Sequence, residues 1–170
     1  IVGMLGFLFI VGWPDDPNQQ VAVLVNNQVS QHVLYLTVYQ IWAVFLVVLT
    51  LALYDRLKAD APVTMQIATA IGIIWATLVM ARGMIFNIGM DNVVGLYGTD
   101  PARATTVWLA IESVSSAIGG GNEMLGGLWM LLISWAALQA RGLPKALNYL
   151  GIGIGAAGIL SALPGLGDAG

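Results

Sequence analysis

Long apolar runs restrict this chain more than any other feature. From Leu34 to Tyr54 no Asp, Glu, Lys or Arg interrupts the hydrophobic residues, and about 20 such residues in a helix cross the ~30 Å hydrocarbon core of a bilayer. Comparable runs lie at 63–86, within 105–139 and at 146–163, with a shorter one at 1–13. Between them no segment exceeds about twenty residues or carries a core pattern of its own. The composition agrees: 58% of residues are hydrophobic and 9% charged, where soluble domains carry about a quarter charged. The chain therefore reads as all-α, a single polytopic transmembrane helix bundle over 1–170 with five apolar segments, the first one truncated. Lipid is its first partner.

Each run has a boundary with a physical reason. Trp13 sits where an interfacial aromatic belongs, and Pro14-Asp15-Asp16-Pro17 stops the first helix. Asn18 to Val33 is polar with a weakly amphipathic centre, readable as an interfacial helix or a loop. Asp55 to Pro62 is a charged turn, as are Gly98 to Arg103 and Arg141 to Lys145. The fourth segment, 105–139, is about 50 Å long as one helix, too long for a straight crossing. Either it projects from the membrane or it breaks near Gly119-Gly120-Gly121, where three glycines cost about 3 kcal/mol of helix propensity. A break at 119–121 is the expectation carried forward. In the fifth segment, Gly151 with Gly155 and Gly153 with Ala157 have the small-residue spacing of close helix packing. Residues 165–170 then read as a loop before a sixth span.

Basic residues orient the bundle. Arg56, Lys58, Arg141 and Lys145 occupy alternate turns, whereas the opposite loops hold Arg103 and most of the acidic residues. The positive-inside rule places the two basic turns and the N-terminus in the cytoplasm and residue 170 outside. On that topology Arg82 lies about 28 Å and Glu123 about 24 Å from the cytoplasmic ends of their helices. A membrane-embedded charge usually has a partner, and Arg82 with Glu123 is the expected pair. Asn122 and Asn87 could complete the network. Glu112, Ser116, Gly119 and Glu123 share one face by their spacing, although Glu112 falls by depth among outer headgroups or water. This cluster either fixes helix packing or forms a substrate, ion or cofactor site; packing is the reading the residues favour.

Several chemistries are excluded. The chain has no cysteine and one histidine, His32, so one chain cannot supply bis-histidine haem, an iron–sulfur cluster, a Cys/His zinc site or a two-histidine di-iron site. No cofactor can be named from the sequence. His32, just before a span, reads as a solvated or capping residue. A Ser–His hydrolase has no base close in sequence, and Gly119-Gly120-Gly121 lacks the lysine of a phosphate loop. No basic patch points to nucleic acid. Interfacial belts and core packing account for the tryptophans.

Gly121-Asn122-Glu123-Met124-Leu125-Gly126-Gly127-Leu128-Trp129, followed by Gly142-Leu143-Pro144-Lys145-Ala146-Leu147-Asn148-Tyr149-Leu150-Gly151, resembles an uncharacterised domain-of-unknown-function family of bacterial multi-pass integral membrane proteins. The resemblance is best over 105–165. It implies a bacterial inner-membrane protein of about six helices, with one more helix expected after the glycine-rich span. It implies no activity and no catalytic residue. Two functional classes remain. One is a non-catalytic accessory subunit packing against a larger membrane complex, which minimal extramembrane mass favours. The other is a small-solute or ion transporter, channel or membrane sensor built around a break in the fourth helix. A membrane enzyme using a carboxylate–arginine site ranks third.

Overall fold

The computed structural model describes residues 13–162. Five helices follow one another: α1 Pro17–Asn26, α2 Gln28–Leu57, α3 Pro62–Tyr97, α4 Pro101–Ala140 and α5 Lys145–Ser161. No strand occurs among the described residues. The segment expected at 1–13, apart from Trp13, and the loop at 165–170 lie outside them.

Local chemistry sets the helix ends. Asp16 precedes Pro17 and its carboxylate accepts from Asn18 N at 3.0 Å, an N-cap with proline at the first helical position. Asp100 does the same ahead of Pro101, accepting from Arg103 N at 3.0 Å. At the end of α4, Gly142 N donates to Ala137 O and Arg141 N to Leu138 O. This is a Schellman turn in which Arg141, with φ of 51°, holds the left-handed position usually given to glycine. Asn18–Val33, left open between helix and loop, is helical: α1 and the first part of α2.

α2, α3 and α4 are each long and apolar enough to cross a membrane, which marks the chain as a membrane protein. At 30, 36 and 40 residues they measure about 45, 54 and 60 Å, all longer than the hydrocarbon core. α5 has 17 residues, about 25 Å. Two expectations need correction or refinement. α3 continues past Phe86 to Tyr97, because Met90 and Val93 still have a core to enter. α4 does not break: helix runs through Gly119-Gly120-Gly121. In a low-dielectric surrounding an unmade backbone hydrogen bond costs several kcal/mol, which outweighs the weak helix propensity of glycine. α2 carries a feature with no sequence signal, a π-helical turn at Leu36–Ile41. Such turns loosen the backbone ladder, and here the Gln40 carboxamide lies 3.1 Å from Tyr35 O.

The helices build two compact units, one from residues up to Trp42 with Met80–Ala117, the other from Ala43–Val79 with residues from Ile118 on. In the first, α1 brings Val21 and Leu24, α2 Tyr35, α3 Phe86, Met90 and Val93, and α4 Ala104 and Trp108 to one core. Trp108 is fully buried, and its indole N–H donates to Gln20 Oε1 at 2.7 Å. The second unit packs through small residues. A Cβ on Gly127 would lie 2.7 Å from Gly155 O, one on Gly126 2.8 Å from the Trp75 ring, and one on Gly72 2.6 Å from the Trp129 ring nitrogen. Helices in lipid gain stability by such close approach rather than by a hydrophobic drive between them.

Candidate functional site

The polar side chains of the first unit converge where α2 meets α3. Gln28 and His32 are one turn apart on α2, and Asn87 and Asp91 one turn apart on α3, so each pair shares a helix face. His32 Nδ1 lies 3.0 Å from Asn87 Oδ1 and its Nε2 lies 2.9 Å from Asp91 Oδ1. Gln28 Nε2 donates to the same Asp91 oxygen at 3.0 Å. Both ring nitrogens face oxygens, whereas a neutral imidazole can donate from only one. Both ring nitrogens are thus engaged across the helix pair. The group is a hydrogen-bonded clamp between two helices, with the His32 side chain 26% and the Asp91 side chain 59% exposed. That exposure limits the value of the ion pair to about 1 kcal/mol. His32→Ala is therefore expected to lower the melting temperature of the purified protein by a few degrees, and Asp91→Asn by less. A thermal scan in detergent measures both.

An aromatic layer follows along α2. Tyr35 stacks on Phe86 with ring centroids 5.0 Å apart and planes 8° apart, and Tyr39 lies 6.0 Å from each. The Arg82 guanidinium sits over the Tyr39 and Phe86 rings, 5.8 and 5.6 Å from their centroids. Ring faces attract a cation, more strongly when water is excluded. Gly83 makes this fit, since a Cβ there would strike the Tyr39 side chain. The Arg82 Nε is buried with no hydrogen-bond partner among the described residues. Arg82 is thus a cation held by rings, with part of its donor set unused.

The residues expected to form one intramembrane cluster fall in both units. Arg82, Asn87 and Glu112 belong to the first unit, and Asn122 and Glu123 to the second. Ion pairs among the described residues include His32–Asp91 within the first unit and Lys58–Asp55 within the second. Asn87 meets His32. Glu112 is half-buried and within electrostatic range of Tyr35. Along the expected face of α4, Gly119 is buried but Ser116 and Glu123 are exposed. The residues of α4 that turn inward are Ser115, Gly119 and Asn122; Ser115 Oγ and Asn122 Oδ1 are buried without a partner among the described residues. On α5, Gly151 and Gly155 are buried against α4, where added Cβ atoms would meet Ser134 and Leu131, while Gly153 and Ala157 are exposed.

Gln28, His32 and Asp91 are the residues that sequence reasoning did not assign to the site. A usable signal existed: Asn87 and Asp91 are spaced by four on an otherwise apolar helix, and the sole histidine begins the preceding one. The turn between Arg141 and Lys145 holds a further feature, a cavity of about 270 Å³. No group of three or more His, Cys, Asp or Glu side chains placed to hold a metal ion occurs among the described residues.

No curated protein and no solved structure matches the chain. One family does, over residues 1–167. With helices built from the same apolar runs that span that match, the chain belongs to the family described as Domain of unknown function (DUF4386).

Proposed function

We propose that this protein is a multi-pass component of the bacterial inner membrane that serves as a non-catalytic accessory subunit, packed through α4 against a larger membrane complex. The observation that carries the reading is Glu123. It is exposed on a membrane-length helix, beside Gly120, where an added Cβ would meet nothing within 4 Å, and Met124, which is 53% exposed. An ionisable group at such a depth costs about 3 kcal/mol against lipid. A donor or cation on a neighbouring helix would remove that cost, and the small residue beside Glu123 would let the neighbour approach. The protein's own helices bury only 17 to 33% of the apolar spans, so most of that surface is left for lipid or a partner. In this reading the first and fifth apolar segments also cross, and the turns at Asp55–Pro62 and Arg141–Lys145 are cytoplasmic.

The test is co-purification from native membranes in mild detergent. Recovery with a partner at fixed stoichiometry is expected, and Glu123→Leu should reduce it at least tenfold while leaving the monomer folded. A lone monodisperse wild-type monomer would overturn the reading. So would a leucine variant that keeps its partner.

A second reading, a small-solute or ion transporter, channel or membrane sensor, draws support from Arg82. Its unpartnered Nε and ring-fixed geometry suit a passing or sensed anion. In that case wild-type protein in liposomes supports an anion flux that Arg82→Gln removes, and equal flux in both would dismiss the idea.

A further inference from the structure

We infer that the turn between α4 and α5 is a binding site for the phosphate of an anionic phospholipid headgroup. The inference rests on the membrane reading, but not on any partner protein. The cavity of about 270 Å³ there is lined by Arg141, Lys145 and Asn148 together with the apolar Ala137, Leu138 and Leu143. The lining combines cationic with apolar side chains, which is the chemistry of a phosphodiester joined to acyl chains. Inorganic phosphate matches only the first half.

The local backbone explains why donors collect here. The Schellman turn closing α4 forces Arg141 to φ of 51°. Pro144 follows and starts α5, and proline offers no side-chain cap. Among the described residues the N–H groups of Lys145 and Ala146 have no acceptor, since the first helical bonds run from Leu147 and Asn148 to Pro144 O. Uncapped N–H groups at a helix start attract an anion. The independent observation is Asn148, a polar side chain only 2% exposed that lines the same cavity. Its amide makes one long bond, 3.4 Å, to Leu143 O. A second amide hydrogen and the carboxamide oxygen are uncommitted among the described residues.

Nearby charges leave the site positive. Arg56 donates to Gly142 O at 3.0 Å, which fixes the turn and brings a third cation to it. Lys58 is occupied by Asp55, so Arg141 and Lys145 carry the free charge. Basic pockets between membrane helices on the cytoplasmic side are where anionic headgroups bind, and this turn is on that side by the positive-inside rule.

The experiment uses the full chain in nanodiscs or detergent, with phosphatidylglycerol, phosphatidylcholine and free inorganic phosphate as separate probes read by native mass spectrometry and thermal shift. Phosphatidylglycerol should bind and stabilise, whereas phosphatidylcholine and free phosphate at equal concentration should not. Arg141→Gly with Lys145→Gln should weaken phosphatidylglycerol binding about thirtyfold, each cation near the surface contributing roughly a factor of five. Glycine suits the backbone at 141, so this variant folds. Arg103→Gln removes one charge from a different turn and should change nothing. Equal binding of the two lipids, undiminished binding by the double variant, or saturation of the site by free phosphate would each overturn the assignment.

Discussion

Gly127→Leu is expected to destabilise the pairing of α4 with α5 by about 3 kcal/mol, the upper end of what overpacking costs. Two features put it there. The first atoms a side chain would meet are backbone: Gly155 O at 2.7 Å and Ile159 N at 2.9 Å. Neither can rotate away. The contact is also reciprocal, because a Cβ on Gly155 would lie 2.7 Å from Gly127 O. The helices can accommodate leucine only by separating, and separation forfeits the dispersion contacts that hold helices together in lipid. Limited proteolysis of the detergent-solubilised protein should show early cleavage in the turn before α5. Gly153→Ala is the control: its Cβ would meet nothing within 4 Å, so stability should hold or rise slightly. If both variants melt alike, the close approach of these two helices is not what stabilises the second unit.

Trp108→Ala should be as damaging in the first unit, about 4 kcal/mol, for a different reason. The indole is fully buried, lies 5.9 Å from Phe86 and 6.2 Å from Trp13 between ring centroids, and donates to Gln20. Alanine leaves a cavity, worth 3 to 5 kcal/mol by itself at a large aromatic site. It also orphans Gln20, only 7% exposed, although Gln20 Nε2 keeps its bond to Pro14 O at 2.9 Å. The ten-residue α1 is too short to persist alone, so it should be the first element to loosen. Hydrogen exchange is the measurement: the amides of α1 beyond Pro17 should lose protection while those of α5 do not. Trp108→Phe should fall between, since it keeps most of the ring and loses only the hydrogen bond, about 1 to 2 kcal/mol.

What could be read in advance, and what could not, divides along a physical line. The runs that became α2, α3 and α4 were legible because a membrane helix is specified locally, by length and hydropathy. Prolines 17, 62 and 101 stand at the first position of three helices, where proline is tolerated, although the sequence reading placed them in turns. The triple glycine misled, because propensities measured in water do not describe a helix that has no water to bond its amides. His32 was read as solvated for lack of a visible partner, and its partners lie 55 and 59 residues away. Asn87 was grouped with Arg82 and Glu123 by depth, and its contact with His32 was not foreseen. Depth is a single coordinate, and it does not say which faces meet.

That limit is general for a chain like this one. In a soluble helix the apolar stripe points to the core. α3 and α4 are apolar on most sides, so periodicity carries no direction, and packing follows from where small residues permit contact. The sequence alone therefore determined that the chain enters a membrane as helices and which turns carry positive charge. Tertiary structure decided that α4 stays continuous and that Arg82 rests on Tyr39 and Phe86. It also decided that His32 joins α2 to α3, and that Arg141, Lys145 and Asn148 surround one cavity. Each of these depends on which helix faces lie side by side, and no local stretch of sequence encodes that.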